Sequence, residues 1–65
     1  MRITYDKSVD AAYIYLSENV KVASTQPIEW IDGMINIDFS ADGKMTGIEV
    51  IPASKFLDAK LLKLC

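Results

Sequence analysis

The chain reads as an α+β domain: an antiparallel meander of about five short strands with one C-terminal helix packed across one face. Three observations predict this. Apolar residues alternate with polar or amphipathic ones at Ile3/Tyr5, Ile14/Leu16 and Ile35/Ile37/Phe39, the period of a half-buried strand. Two Asp-Gly pairs, Asp32-Gly33 and Asp42-Gly43, stand between such runs as hairpin turns. Leu57, Leu61 and Leu64 then follow at i, i+4, i+7, the period of a helix.

Strands are expected near residues 2–6, 11–17, 20–31, 34–40 and 45–51, and the helix near 54–64. The third strand is the weakest, because Pro27 cannot donate to a ladder and belongs at an edge or a break. Closing two-residue turns on both Asp-Gly pairs sets Trp30 opposite Ile35 and Ile28 opposite Ile37. It also sets Ile37 opposite Ile48 and Ile35 opposite Val50. Directly opposed residues share a face, so Ile28, Trp30, Ile35, Ile37, Phe39, Thr46, Ile48 and Val50 fall together, and a one-residue slip would turn that apolar set to solvent. Pro52 ends the last strand, Ser54 is the expected N-cap, and Phe56 and Leu62 widen the leucine stripe. Lys60 and Lys63 lie in the final turns, where positive charge suits the helix dipole.

Sixty-five residues make one domain, residues 1–65. A chain of this size buries only about 60% of its unfolded surface, and apolar burial then roughly balances ordering entropy of about 1.5 kcal/mol per residue. Cys65 is the only cysteine and there is no histidine, so neither an internal disulfide nor a Cys/His zinc site can reinforce the fold. Association with another chain is the remaining remedy. Net charge is −2 without a basic run, which argues against nucleic acid as a partner. The opening residues lack the apolar stretch of a signal peptide, and no segment is long enough to span a membrane. A lone thiol fits a reducing cytosol.

The run Tyr5-Asp6-Lys7-Ser8-Val9-Asp10-Ala11-Ala12-Tyr13-Ile14-Tyr15-Leu16, with Asp42-Gly43-Lys44 and Gly47-Ile48-Glu49-Val50-Ile51-Pro52-Ala53-Ser54, resembles the signature of a small bacterial family known as domain of unknown function 2283. Members of that family are often found beside predicted toxin genes, so the resemblance implies an antitoxin-like or accessory role. It assigns no biochemical activity, and the residues themselves offer no cofactor site.

Residues 38–49 also match a calcium-loop pattern, with oxygen ligands at Asp38, Ser40 and Asp42, Gly43 at the sixth position and Glu49 at the twelfth. Strand periodicity on both sides competes with that reading, because it would hold Asp38 roughly 13 Å along the strand from Asp42 at ~3.3 Å per residue. A weak metal or small-ligand binder using Asp38, Asp42 and Glu49 is the alternative function. Asp6, Ser8 and Asp10 read as turn chemistry. Without histidine no Ser-His or Cys-His pair can form, so no catalytic residue is expected. Asn36, Asp38 and Glu49 share the sheet face away from the helix. Tyr13 and Tyr15 belong to that face too, with Ile31, Met34 and Ile51 as neighbours. A patch of this kind is rare on a monomer, and Tyr and Met are typical of interface cores. The expected role is a protein–protein interaction module, either a homo-oligomer through Tyr13, Tyr15, Ile31, Met34 and Ile51 or a binder of another small protein.

Overall fold

The computed structural model describes residues 1–65. It contains β1 (Arg2–Asp6), β2 (Ala11–Tyr15), β3 (Ser24–Trp30), β4 (Gly33–Phe39), β5 (Met45–Ile51), α1 (Ala53–Phe56) and α2 (Ala59–Leu62). All pairings are antiparallel, as the alternation predicts. The order across the sheet is β1-β2-β5-β4-β3, so the expected meander is replaced by a Greek-key arrangement in which β2 pairs with β5. The pairing sets Ala12 opposite Val50 and Ile14 opposite Ile48, and it places Tyr15 opposite Gly47. β5 thus gains the centre between β2 and β4, and β3, with its proline, is left at an edge. Residues 16–23 carry the chain from the sheet centre to that edge. Leu16 and Ser17 donate their amides to the Thr46 carbonyl at 3.0 and 3.1 Å, and Ala23 donates to Phe39 at 2.8 Å. The third strand therefore starts only at Ser24.

Both hairpins differ locally from the two-residue Asp-Gly turns expected. The first closes on Ile31-Asp32, pairing Trp30 with Gly33 and Ile28 with Ile35. This shift of two positions preserves the face of every residue that stays in the strands. Gly33 is needed for proximity rather than for positive φ: a Cβ there would meet the Phe56 ring at 2.7 Å and the Ile51 carbonyl at 3.0 Å. The second hairpin has a three-residue loop. Gly43 at φ +83 donates its amide to the Ser40 carbonyl at 3.0 Å, and Ser40 donates to Lys44 at 2.9 Å, a turn followed by a left-handed glycine. A bulge near Asp38/Phe39 then absorbs the extra residue: Phe39 pairs with Met45, but Asp38 pairs with Gly47. Beyond it the pairs Ile37–Ile48 and Ile35–Val50 are those predicted. Thr46 is the residue left over. It is buried, and its hydroxyl has no protein partner.

The single helix expected near 54–64 is two four-residue helices, broken at Leu57 (φ −112, ψ 143). Asp58 causes the break, because its side chain accepts the Lys60 amide at 2.8 Å and caps a new helix instead of continuing the old one. The leucine stripe is consequently not presented as one surface: Leu57, Leu61 and Leu62 are half-buried and Leu64 is exposed. Ser54 is not the cap of α1 either. Pro52 occupies that position without a side-chain bond, and the amides of Ala53 and Ser54 are instead held by Asp10. The Asp10 carbonyl accepts from Ala53 at 2.7 Å, and its Oδ1 accepts from the Ser54 amide at 3.0 Å. Lys55 also pairs with Asp32, and Phe56 lies against Trp30 with ring centroids 5.3 Å apart. These contacts fix α1 over one corner of the sheet.

Replacing Gly43 with Val forces a β-branched residue into a left-handed conformation with open space around it. The expected loss is about 1–2 kcal/mol, from the backbone alone, read as a lower urea midpoint at unchanged slope.

Candidate functional site

Side-chain alternation divides the sheet into two faces of opposite character. The face opposite the helices carries Tyr13, Tyr15, Met34 and Ile51, four of the five predicted interface residues. The fifth, Ile31, is fully exposed at the tip of the β3–β4 turn, because the shifted register moves it out of the sheet. This outer face is a hydrogen-bonded polar surface more than an apolar one. Asp38 accepts from the Tyr13 hydroxyl and, at 2.6 Å, from the Thr25 hydroxyl. Asn36 donates to Glu49 at 2.9 Å. Tyr13 and Tyr15 meet edge to face at 4.6 Å, and the Arg2 guanidinium sits 3.8 Å from the Tyr15 ring centroid while also bonding Glu18 at 3.2 Å.

Gly47 makes this arrangement possible. The Tyr13 ring crosses β5 directly over it, and a Cβ there would lie 2.7 Å from the ring edge and closer still to the hydroxyl end. Burial, then the hydrogen bond to Asp38 and the charges of Asp38, Tyr15 and Glu49, push the Tyr13 hydroxyl up to about 12. The three carboxylates of the alternative ligand site are not brought together. Asp38 is bonded to Tyr13 and Thr25, Glu49 to Asn36, and Asp42 to Ser40 within its own turn. No group of three acidic or thiol side chains is placed to hold a metal ion.

The signature residues Tyr5, Asp10 and Ser54 form one cluster. Asp10, at φ +52, accepts from the Tyr5 hydroxyl at 2.7 Å and from the Ser54 amide and hydroxyl. The Ser54 and Tyr5 hydrogen bonds hold the Asp10 carboxyl below its ordinary value, and the same bond raises that of Tyr5. Asp6, as expected, ties its own turn, accepting from the Ser8 amide at 3.0 Å and hydroxyl at 2.6 Å. The Tyr5–Asp10–Ser54 motif is thus structural, joining the β1–β2 turn to the start of α1.

The helix-side face is where the sequence reading and the structure part most. Ile28, Trp30, Ile35, Ile37, Phe39 and Ile48 do share it, as predicted, but the two short helices cover only a corner. Trp30 is 49% exposed and Ile28 40%. Ile35, Ile37, Phe39 and Ile48 are half-buried. The signal available in sequence was Asp58, whose capping preference interrupts the covering helix.

Compared with models of protein families, residues 2–54 match one described as protein of unknown function (DUF2283), a span that takes in all five strands and ends inside α1. Neither a curated protein nor a solved structure matches the chain. No helix is long and apolar enough to cross a membrane.

Two titrations follow. The Tyr13 phenol holds its proton more tightly folded than unfolded, so its contribution is intact below about pH 10 and is lost as pH rises toward about 12. Urea midpoints should fall across that window in wild type and much less in Tyr13→Phe. Asp10 has the opposite sense: its contribution is present above about pH 3.8 and is lost as pH falls through its lower folded value. Asp10→Ala should flatten that acid limb. It should also lower the midpoint at neutral pH more than Asp42→Ala, whose bonds stay within one turn.

Proposed function

We propose, from the premise that the chain belongs to the DUF2283 family, that it is a non-enzymatic protein–protein interaction module of the cytosol that works as a homo-oligomer. One observation carries this reading: the single chain has almost no closed core. Only Ala12, Thr46, Gly47, Val50 and Ala53 are buried, and no large side chain is fully enclosed. The accessible surface is 4622 Å², whereas a compact monomer of 7.2 kDa exposes roughly 4,100 Å². The radius of gyration agrees, 11.9 Å against roughly 10.7 Å for a compact chain of this length. Ordering a polypeptide needs apolar burial to offset conformational entropy, and a second chain is the simplest source of it here.

The chemistry available fits a binding role. There is no histidine, and the outer-face carboxylates accept hydrogen bonds from neutral hydroxyl and amide donors instead of facing each other in a cleft. An antitoxin-like or accessory role would use the same kind of surface, by covering the apolar face of another small protein.

Sedimentation equilibrium from low to tens of micromolar checks the reading. A mass that rises from one chain to a discrete oligomer, with urea stability increasing alongside protein concentration, is the expected outcome. A single-chain mass with concentration-independent stability would exclude self-association.

A further inference from the structure

Resting on the proposed self-association, we infer that the contact is a two-fold packing of helix-side sheet faces, with Trp30, Ile28, Ile37 and Phe39 of one copy against the same residues of a second. Four surfaces compete for that role: the two faces and the open edges of β1 and β3.

Charge separates the faces. In a two-fold contact each patch meets itself, so like charges are brought together unless the patch is neutral. By strand parity the outer face carries Asp6, Glu29, Asp38 and Glu49 against Arg2 alone. Packing it on itself would set carboxylates against carboxylates and break the bonds that hold Asp38 and Glu49. The helix-side strand positions carry no charged side chain. They hold Ile3, Tyr5, Ala12 and Ile14 from one hairpin and Ile28, Trp30, Ile35, Ile37, Phe39, Ile48 and Val50 from the other three strands, with Ser24, Gln26 and Thr46 as the polar members.

The β3 edge is closed to strand pairing by Pro27, which stands at the middle of the strand and has no N–H to donate; pairing on the five-residue β1 edge would leave Trp30 and Ile28, on the far strand, uncovered. Area agrees with a face contact. The sheet is a slab of 33 × 27 × 17 Å, and covering the surface excess on two chains removes about 1,000 Å² in all, the lower bound for a specific interface. Two sheets stacked this way give the ordinary sandwich spacing of about 10 Å.

Trp30 is the only tryptophan and is half-exposed in the single chain, so it reports the contact without any substitution. As the oligomer forms, its emission should move to shorter wavelength and its quenching by acrylamide should fall. Ile28→Lys places a charge on an exposed edge-strand position that the single chain tolerates, yet in the contact it would be desolvated. It should weaken association by at least about tenfold with the far-ultraviolet circular dichroism unchanged. Tyr15→Glu, on the opposite face, should leave association as it was. An oligomer that forms with Trp30 as accessible as before, or that Tyr15→Glu dissolves and Ile28→Lys spares, overturns the assignment of the face while leaving self-association intact. A single chain at every concentration overturns self-association itself.

Discussion

The hold that Asp10 keeps on Ala53 and Ser54 is the constraint from which the rest of the structure follows. Its main-chain carbonyl and its carboxylate satisfy the first two amides of α1, across separations of 43 and 44 residues. Without that hold, a helix of four residues following Pro52 would have no reason to form, since so short a segment cannot stabilise itself. The same aspartate fixes Tyr5 and takes the left-handed conformation that turns β1 into β2. One residue thereby sets the hairpin, seats β2 beside β5, and aims the chain back over the sheet. Lys55 and Phe56 then complete the seat against Asp32, Gly33 and Trp30.

Once α1 is seated at that corner, the remaining chain is too short and too interrupted to cover the rest of the face. Asp58 stops the first helix from continuing, and α2 brings only half-buried leucines to the sheet. The exposed apolar area is thus a consequence of how the last residues are divided, and it follows from the capping chemistry of a single aspartate. The opposite face has the reverse history. Gly47 lets Tyr13 lie across β5, its hydroxyl reaches Asp38, Thr25 donates to the other Asp38 oxygen, and Asn36 donates to Glu49. Polar groups there are held by one another, so that face is closed in the chemical sense although it is open to water. A neutral apolar face and an acidic bonded face on one thin sheet differ in what they can pack against.

The sequence alone determined the five strands, the division of residues between the two faces, and the pairing of Ile35 and Ile37 with Val50 and Ile48. Each rests on side-chain alternation, a period-two property that local residues settle between themselves. It survived errors in both turns, because a shift of two positions in one hairpin and a bulge in the other restored the same parity. Only the tertiary structure decided the strand order, the role of Asp10, and which apolar residues stay uncovered. Strand order depends on which strand can afford to lie at the edge, a comparison among all five at once. The Asp10 bonds join residues far apart in the chain, so no local pattern encodes them. Burial depends on where the covering segment ends up, and here a capping bond at Asp58 outweighed the leucine periodicity that promised a longer helix.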